Sequence, residues 1–303
     1  MPISGPKPVH KSGNLMEFRK FVPSRFRKER VVIPVVRLSG AIMASGSPLR
    51  QNLSLAAVAP ALERAFSFKR APAVALSVNS PGGSPVQSRL IHSRIRELAE
   101  KHDKQVLVFV EDVAASGGYM IALAGDEIIA DETSIVGSIG VVSASFGFDK
   151  AIARLGVERR VYTAGENKVI LDPFQPEKQK DIDYLKSLQL EIHQVFIDMV
   201  KARRGARLAE SDDLFTGMFW TGAKGRELGL VDSCGLMAPS LRERFGKDTE
   251  LKLVSQPRSM FGRAQPGVGA DRLAGAGSAL ASTLPGAIAD EMEERGLWAR
   301  YGM

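Results

Sequence analysis

The chain has 303 residues, of which 44% are hydrophobic, and its formal net charge is +7. This composition excludes a disordered or fibrous chain and provides enough apolar residues for a large core with additional tails. The sequence contains no run of about 18 apolar residues, and its basic N-terminus lacks the apolar block and cleavage site of a secretory signal. We therefore expect no transmembrane helix and no signal peptide, and a protein that is cytoplasmic or peripherally membrane-associated.

The positive charge is concentrated in residues 1–30, which hold eight Lys or Arg and two Glu and so carry +6 of the total. The remaining chain is close to neutral, which argues against a nucleic-acid partner. Apolar side chains are interspersed with these charges, and this mixture favours an arm that lies on an anionic membrane surface. A disordered basic tail is the alternative.

Short β-branched apolar runs alternate with helical patterns from residue 31 onward. The predicted strands are residues 31–38, 73–79, 105–111, 127–131 and 160–165, and the predicted helices between them are residues 53–68 and 86–102. The strands are apolar almost throughout, as in sheets that are covered on both faces. This order predicts an α/β fold, a parallel sheet with flanking helices and right-handed crossovers.

The remaining elements complete one domain between two tails. An apolar stripe predicts a helix over residues 177–204, suited to the core or to a subunit contact, and residues 250–255 predict a last strand. From residue 256 the composition shifts to Gly, Ala, Pro and Ser, which is typical of a flexible tail, and the last residues offer a short helix. We therefore predict a basic arm (1–30), a folded domain (31–255) and a flexible tail (256–303).

The single cysteine, Cys234, can form neither an internal disulfide nor a cysteine-based metal cluster. We expect it to be a buried small hydrophobe. The sequence gives no reason to predict a metal or a cofactor.

Ser116 lies in the stretch "AASGGYMIA", between two alanines and two glycines, where a predicted strand gives way to a helical pattern. The carboxyl ends of parallel strands are where α/β proteins bind ligands, and the first N–H groups of a helix have no partner inside it. Gly117 would let a substrate carbonyl approach the backbone closely. Ser116 is therefore a candidate nucleophile, and a serine that merely caps the following helix is the alternative.

A second glycine turn, "NSPGGS" at residues 79–84, ends the preceding predicted strand. In a parallel sheet it should lie beside Ser116. The backbone N–H groups of Gly83 and Gly117 would then form a two-donor oxyanion hole, and each donor lowers the barrier by about 3 kcal/mol.

A serine nucleophile needs a base, and none of the four histidines, His10, His92, His102 and His193, is well placed in the predicted elements. A lysine can replace histidine when burial lowers its pKa. Lys168, in "TAGENKVIL", is flanked by apolar residues and is the candidate base. A solvated loop lysine is the alternative.

These motifs together resemble the signal peptide peptidase A family of serine proteases. The resemblance runs from about residue 31 to residue 235, and its blocks occur in the family's order: "NSPGGS", "AASGGYMIA", "VGSIGVV" (136–142), "GENK" (165–168) and "WTGAKGRELGLVD" (220–232). Similarity to the family implies a fold related to the Clp protease subunit and to crotonases. It also implies that residues 31–255 are a peptidase domain with a Ser-Lys dyad.

The resemblance also implies a role for each site residue. Ser116 would be the nucleophile and Lys168 the general base, Ser138 would orient the lysine amine, and Gly83 and Gly117 would form the oxyanion hole. The substrates would be peptides, such as remnant signal peptides or other membrane-associated peptides, and the chain would form a homo-oligomeric ring. A crotonase-type acyl-CoA enzyme and an inactive membrane-associated scaffold are the alternative functions.

Overall fold

A central sheet of eight strands organises the protein in the computed structural model, which describes residues 30–44, 52–255, 292 and 295–303. The strands are β1 (Val32–Ser39), β2 (Ala73–Ser80), β3 (Gln105–Ala115), β4 (Glu127–Ala130), β5 (Ile135–Gly137), β6 (Phe219–Thr221), β7 (Ser233–Cys234) and β8 (Glu250–Leu253). The strand order is β6-β5-β3-β2-β1-β8, and β4 pairs with β3 and β7. Every pairing is parallel except that of β5 with β6.

Seven α-helices lie within residues 52–255: α1 (Leu55–Phe66), α2 (Pro85–His102), α3 (Gly117–Ala122), α4 (Asp149–Arg154), α5 (Gln179–Arg204), α6 (Gly222–Glu227) and α7 (Met237–Phe245). The start of α2 is encoded locally, because Ser84 accepts a hydrogen bond from the N–H of Gln87 and Pro85 occupies the first turn. The main core packs α1, α2, α3 and α5 on one face of the sheet, and Leu241 of α7 packs on the other. The predicted α/β fold, a parallel sheet with flanking helices, is confirmed.

β3 is long enough to pair with two shorter strands, one after the other along its length. Residues 107–110 of β3 pair with β4, whereas residues 113–115 pair with β5. The predicted strand ended at residue 111, but β3 continues to Ala115, so Ser116 follows it directly. The sheet therefore delivers residue 116 to its carboxyl edge beside the end of β5.

One predicted strand is wrong. Residues 160–165 form an exposed segment without strand structure, although their β-branched pattern resembles a strand. Their side chains are solvent-exposed, and none of these residues pairs with a described strand. The predicted arm, apart from Arg30, and the predicted tail up to residue 291 lie outside the described residues, while residues 295–303 pack on the sheet.

Two further expectations concern composition. Cys234 lies in β7 and is partly exposed rather than fully buried, because this two-residue strand pairs only with β4 among the described strands. Across the described ranges, no helix is both long and apolar enough to span a membrane. Nor do those ranges group three or more His, Cys, Asp or Glu in a way that could hold a metal ion.

Candidate active site

Ser116 occupies a backbone conformation that side-chain-bearing residues rarely adopt, with φ 53° and ψ −122°. Its N–H donates to the carbonyl of Gly137 at 2.8 Å, and its carbonyl accepts from the N–H groups of Tyr119 at 2.9 Å and Met120 at 3.0 Å. The backbone of the turn is therefore held on both sides. Such strain persists only where the surrounding contacts impose it, and it is commonly found at functional sites.

The Ser116 hydroxyl does not cap α3. The residue stands at the N-cap position, yet its side chain makes no capping hydrogen bond, and no other described residue hydrogen-bonds to the hydroxyl. By contrast, Ser54 and Ser84 cap α1 and α2 through their side chains. The simple helix-cap alternative is therefore wrong, and the hydroxyl is left uncommitted at the edge of the sheet.

The glycine turn after β2 packs directly against the Ser116 turn. A Cβ placed on Gly82 would lie 2.8 Å from the Cβ of Ser116, and one placed on Gly117 would lie 3.4 Å from the nitrogen of Gly83. Residue 83 itself has φ 134°. The sequence prediction that these two turns adjoin is met by this geometry.

Two backbone N–H groups at this junction have no hydrogen-bond acceptor among the described residues. Gly83 donates its N–H to no described residue, because the neighbouring bonds run from Ile42 to the carbonyl of Gly82 and from Ser84 to the carbonyl of Ile42. Gly117 is the first residue of α3, where helical N–H groups have no intrahelical acceptor. The junction can therefore bind an oxygen that carries negative charge.

Ser138 lies beside Ser116 on the adjacent strand end. Ala115 pairs with Gly137 in the β3–β5 register, so the residues that follow, 116 and 138, are neighbours. Ser138 also has φ 53°, is buried, and donates its N–H to the carbonyl of Met218 at 2.7 Å. The sheet thus brings Ser116, Ser138, Gly83 and Gly117 together.

A cleft of about 390 Å³ opens at Ser116. Its walls are mostly apolar, with Ile42, Met120 and Val141 among them, and its lining includes Gly83, Ser116 and Gly117. Leu297 and Arg300, which belong to the C-terminal segment of the chain, complete the lining. The cleft is large enough for several atoms of an extended peptide and its side chain.

Lys168 is the one predicted site residue that does not join the group. It lies in an exposed turn, where its N–H donates to the carbonyl of Gly165 at 3.2 Å, and it does not line the cleft. Glu166 is exposed in the same turn. Within one chain, the residues around Ser116 therefore lack this amine.

The histidines that the structure describes do not supply a base either. None of His92, His102 and His193 lines the cleft. The Nε2 atom of His193 lies 3.0 Å from the carbonyl of Ile139, so its ring contacts the segment that follows Ser138. Burial of His92, with the charges of Arg203 and Arg96 nearby, lowers its pKa to about 4.

Comparison with known proteins identifies the family. The family model described as Peptidase family S49 matches residues 99–245. The chain is 30% identical over 208 residues to a candidate protease of Synechocystis, a match that covers 66% of this chain and 73% of that protein. This chain belongs to peptidase family S49. The resemblance predicted from the motif blocks is thereby confirmed.

Two other relatives match this chain over only part of their own length, which limits what membership of family S49 says about function. The chain is 30% identical over 207 residues to a chloroplastic serine protease, SPPA, of Arabidopsis thaliana, which covers 67% of this chain and 30% of that protein. It is 59% identical over 285 residues to a protein of Brucella melitensis named Na(+)/H(+) antiporter NhaA, which covers 94% of this chain. This chain spans only 39% of that protein's length, so most of the protein named as an antiporter lies outside the matched region.

The sequence did not predict an arginine clamp, formed by Arg203 and Arg96, which binds the carbonyls just beyond the C-terminal end of α3. Arg203 of α5 donates to the carbonyls of Leu123 at 2.8 Å and Gly125 at 2.7 Å, and Arg96 of α2 donates to the carbonyl of Ala124 at 3.2 Å. Guanidinium groups satisfy carbonyls that a helix C-terminus leaves free and complement its negative dipole end. The only sequence signal was basic residues at helical positions, which is too common to be specific.

Proposed function

We propose that this chain is a serine endopeptidase that hydrolyses peptides through a Ser-Lys dyad. Ser116 Oγ attacks the scissile carbonyl, the base takes the hydroxyl proton and passes it to the leaving amine, and water then hydrolyses the acyl-enzyme. The observation that carries the proposal is the uncommitted hydroxyl of a strained serine, open to a cleft beside two unpaired N–H donors.

The oxyanion of the tetrahedral intermediate would accept hydrogen bonds from Gly83 and Gly117. Their adjacency supports this role, since the nitrogen of Gly83 lies next to Gly117 and neither N–H donates to another described residue. Donors that are fixed before reaction stabilise the developing charge without reorganisation, each by about 3 kcal/mol. Backbone donors cannot be deleted by side-chain substitution, so their contribution must be tested through the turn that holds them.

Lys168 is the proposed general base, supplied by a neighbouring copy of the chain, and Ser138 would accept or donate a hydrogen bond that orients its amine. Two observations support a second copy. Lys168 is exposed and outside the cleft of its own chain, and the segment around it exposes large apolar side chains that water disfavours. These include Phe146, Leu155 and Tyr162, which are 76%, 78% and 90% exposed.

Unstructured peptides with apolar side chains are the proposed substrates. The apolar walls of the cleft, among them Met120 and Val142, favour an apolar substrate residue next to the scissile bond. Remnant signal peptides and other membrane-associated peptides have this composition.

Labelling by a fluorophosphonate tests the nucleophile directly. The wild-type protein should form a covalent adduct that peptide mapping assigns to Ser116, and Ser116→Ala should form none. Lys168→Ala should lose nearly all turnover of a mixed peptide library analysed by mass spectrometry, whereas Ser138→Ala should retain a reduced rate. Full turnover in Lys168→Ala would overturn the dyad.

The same labelling experiment separates the alternatives. A crotonase-type acyl-CoA enzyme has no need for a nucleophilic serine and would give no adduct at Ser116, and an inactive scaffold would give neither adduct nor cleavage. The activity of the wild-type protein should increase from acidic to alkaline pH, because a lysine acts as a base only when it is neutral. An optimum near pH 5 would contradict the mechanism.

A further inference from the structure

The C-terminal segment, residues 295–303, packs beside Ser116 with two different faces. It forms a helical turn over residues 295–299 followed by a tight turn. Leu297 and Arg300 line the cleft, whereas Trp298 and Tyr301 pack on the sheet. Residues three apart on a helix share a face, so "LWARY" presents one pair to the cleft and the other pair to the strands.

Trp298 and Tyr301 anchor the segment on the strand that carries Ser116. They pack with Val113 and Ala115 of β3 and with Ile135 of β5. The ring of Tyr301 lies 5.1 Å from that of Phe219 in an edge-to-face arrangement, and the residue is 8% exposed. The segment therefore covers an apolar area of the sheet that would otherwise face solvent, and its docking is favoured by burial.

Arg300, one of the two cleft-facing residues, gives the cleft its charge. Among the described residues that line the cleft, Arg300 is the only charged one. Its guanidinium carbon lies 5.9 Å from the centre of the Tyr301 ring, so the anchoring residue also supports the arginine side chain. Arg300 makes no ion pair with a described residue, which leaves the guanidinium available to a ligand.

We propose that the C-terminal segment is a specificity-determining wall of the catalytic cleft and that Arg300 binds a carboxylate of the substrate peptide. That carboxylate is an acidic side chain or the carboxylate at the end of the peptide, since a guanidinium binds both in the same way. Leu297 extends the apolar wall beside it. This inference rests on the proposed function and adds a substrate preference to it.

Binding to a catalytically silent protein tests this preference without requiring turnover. In a Ser116→Ala background, the dissociation constants of fluorescent apolar peptides are compared by anisotropy, with Asp or Asn at each position in turn and with free or amidated C-termini. At low salt, Ser116→Ala protein that retains Arg300 should bind the carboxylate peptide about threefold more tightly than its neutral counterpart, as expected for an exposed ion pair. The Asp/Asn and free/amidated comparisons show which carboxylate is bound.

Two sets of variants connect this preference to the C-terminal segment. Arg300→Gln should abolish the preference and Arg300→Glu should reverse it. Tyr301→Ala should also abolish it because the anchor is lost, whereas Tyr301→Phe should retain it, since the buried Tyr301 hydroxyl has no hydrogen-bond partner among the described residues. Circular dichroism and melting curves confirm that each variant is folded.

The outcomes distinguish this inference from the proposed function. Equal binding of carboxylate and neutral peptides, or an unchanged preference in Arg300→Gln, overturns the role of Arg300. A preference that survives in Tyr301→Ala overturns the role of the docked segment. Absence of fluorophosphonate labelling and cleavage by the wild-type protein, with the binding preference intact, instead overturns the peptidase proposal and leaves the carboxylate site standing.

Discussion

Gly83 occupies a position that accepts no side chain. A Cβ at this residue would lie 2.2 Å from the carbonyl oxygen of Ile42, and φ is 134°. We expect Gly83→Ala to lower the melting temperature and to slow fluorophosphonate labelling at least 100-fold, because the displaced turn no longer presents its N–H. Gly246→Ala is the matched control, since Gly246 has φ 103° with no atom within 4 Å of a Cβ. Labelling of Gly83→Ala at the wild-type rate would remove residue 83 from the oxyanion hole.

His92 couples the stability of the domain to pH. Burial and the neighbouring arginines hold its pKa at about 4, below the value of 6.5 for an unperturbed histidine. The unfolded chain therefore binds a proton first as the pH falls, so the stability contributed above pH 6.5 is lost progressively between pH 6.5 and 4. We expect His92→Gln to reduce the loss of unfolding free energy between neutral pH and pH 5 by about 2 kcal/mol. Urea unfolding at several pH values measures this, and parallel curves for the two proteins would contradict it.

Strand topology groups three of the five candidate site residues, namely Ser116, Gly117 and Gly83. Ser116 and Gly83 follow neighbouring parallel strands, and such strands end at one edge of a sheet. Ser138 was assigned through the family resemblance, because its three-residue strand is too short to recognise by pattern. Lys168 could not be positioned in this way, since the strand predicted before it, residues 160–165, does not form and the lysine lies in an exposed turn. The backbone strain at Ser116 was also invisible, because the packing of adjacent turns imposes it.

Helix α3 connects the nucleophile turn at its start to the arginine clamp at its end. Arg203 donates two hydrogen bonds to the carbonyls beyond α3, to Leu123 and Gly125. We expect Arg203→Met to reduce the free energy of unfolding by about 2 to 3 kcal/mol, because buried carbonyls lose charge-assisted donors. Arg94→Met is the control, since Arg94 pairs with Glu63 and Glu97 at the surface, where ion pairs contribute little to stability. Equal melting temperatures for the two variants would show that the clamp is dispensable.

Long apolar elements were predictable from the sequence, whereas short or projecting ones were not. β1, β2 and β3 are continuous apolar runs, and α5 has a clear helical stripe. β5, β6 and β7 contain only two or three residues each, so their pairing depends on tertiary contacts and not on periodicity. Residues 160–165 have strand-like composition but lie in an exposed segment without strand structure. β propensity describes how well a residue fits a pleated, half-buried surface, and no such surface covers these residues in the described part of the chain.

The basic arm, residues 1–30, is a separate element of the proposed function and, except for Arg30, lies outside the described residues. Its charge of +6, mixed with apolar side chains, should bind anionic membrane surfaces. We expect the full chain to sediment with anionic vesicles at low salt but not with neutral vesicles, and deletion of residues 1–30 to abolish sedimentation. A chain that ignores anionic vesicles at low salt would favour a basic tail without a membrane role.

Apolar side chains are well covered in one region of the molecule and exposed to solvent in another. The sheet and the helices α1, α2 and α3 enclose the main core, whereas apolar residues of the segment after β5 and of α5 face solvent. Those on α5 are Tyr184, Leu188, Leu190, Ile192 and Val195, each at least 38% exposed. Apolar surfaces of this extent are typical of protein contacts. A second copy of the chain is the partner that would both cover them and bring Lys168 to Ser116.

Subunit mixing tests this arrangement at the level of the assembly. Ser116→Ala and Lys168→Ala should each be inactive alone. Mixed under conditions that let subunits exchange, they should recover part of the wild-type activity, because some boundaries then pair an intact serine with an intact lysine. Differently labelled wild-type subunits, followed by energy transfer, establish that exchange has occurred, and mixing Ser116→Ala with the double variant Ser116→Ala/Lys168→Ala is the control that should stay inactive. If exchange is complete and no activity returns, the serine and the lysine meet within one chain, and the exposed turn that holds Lys168 must fold back onto its own cleft during catalysis.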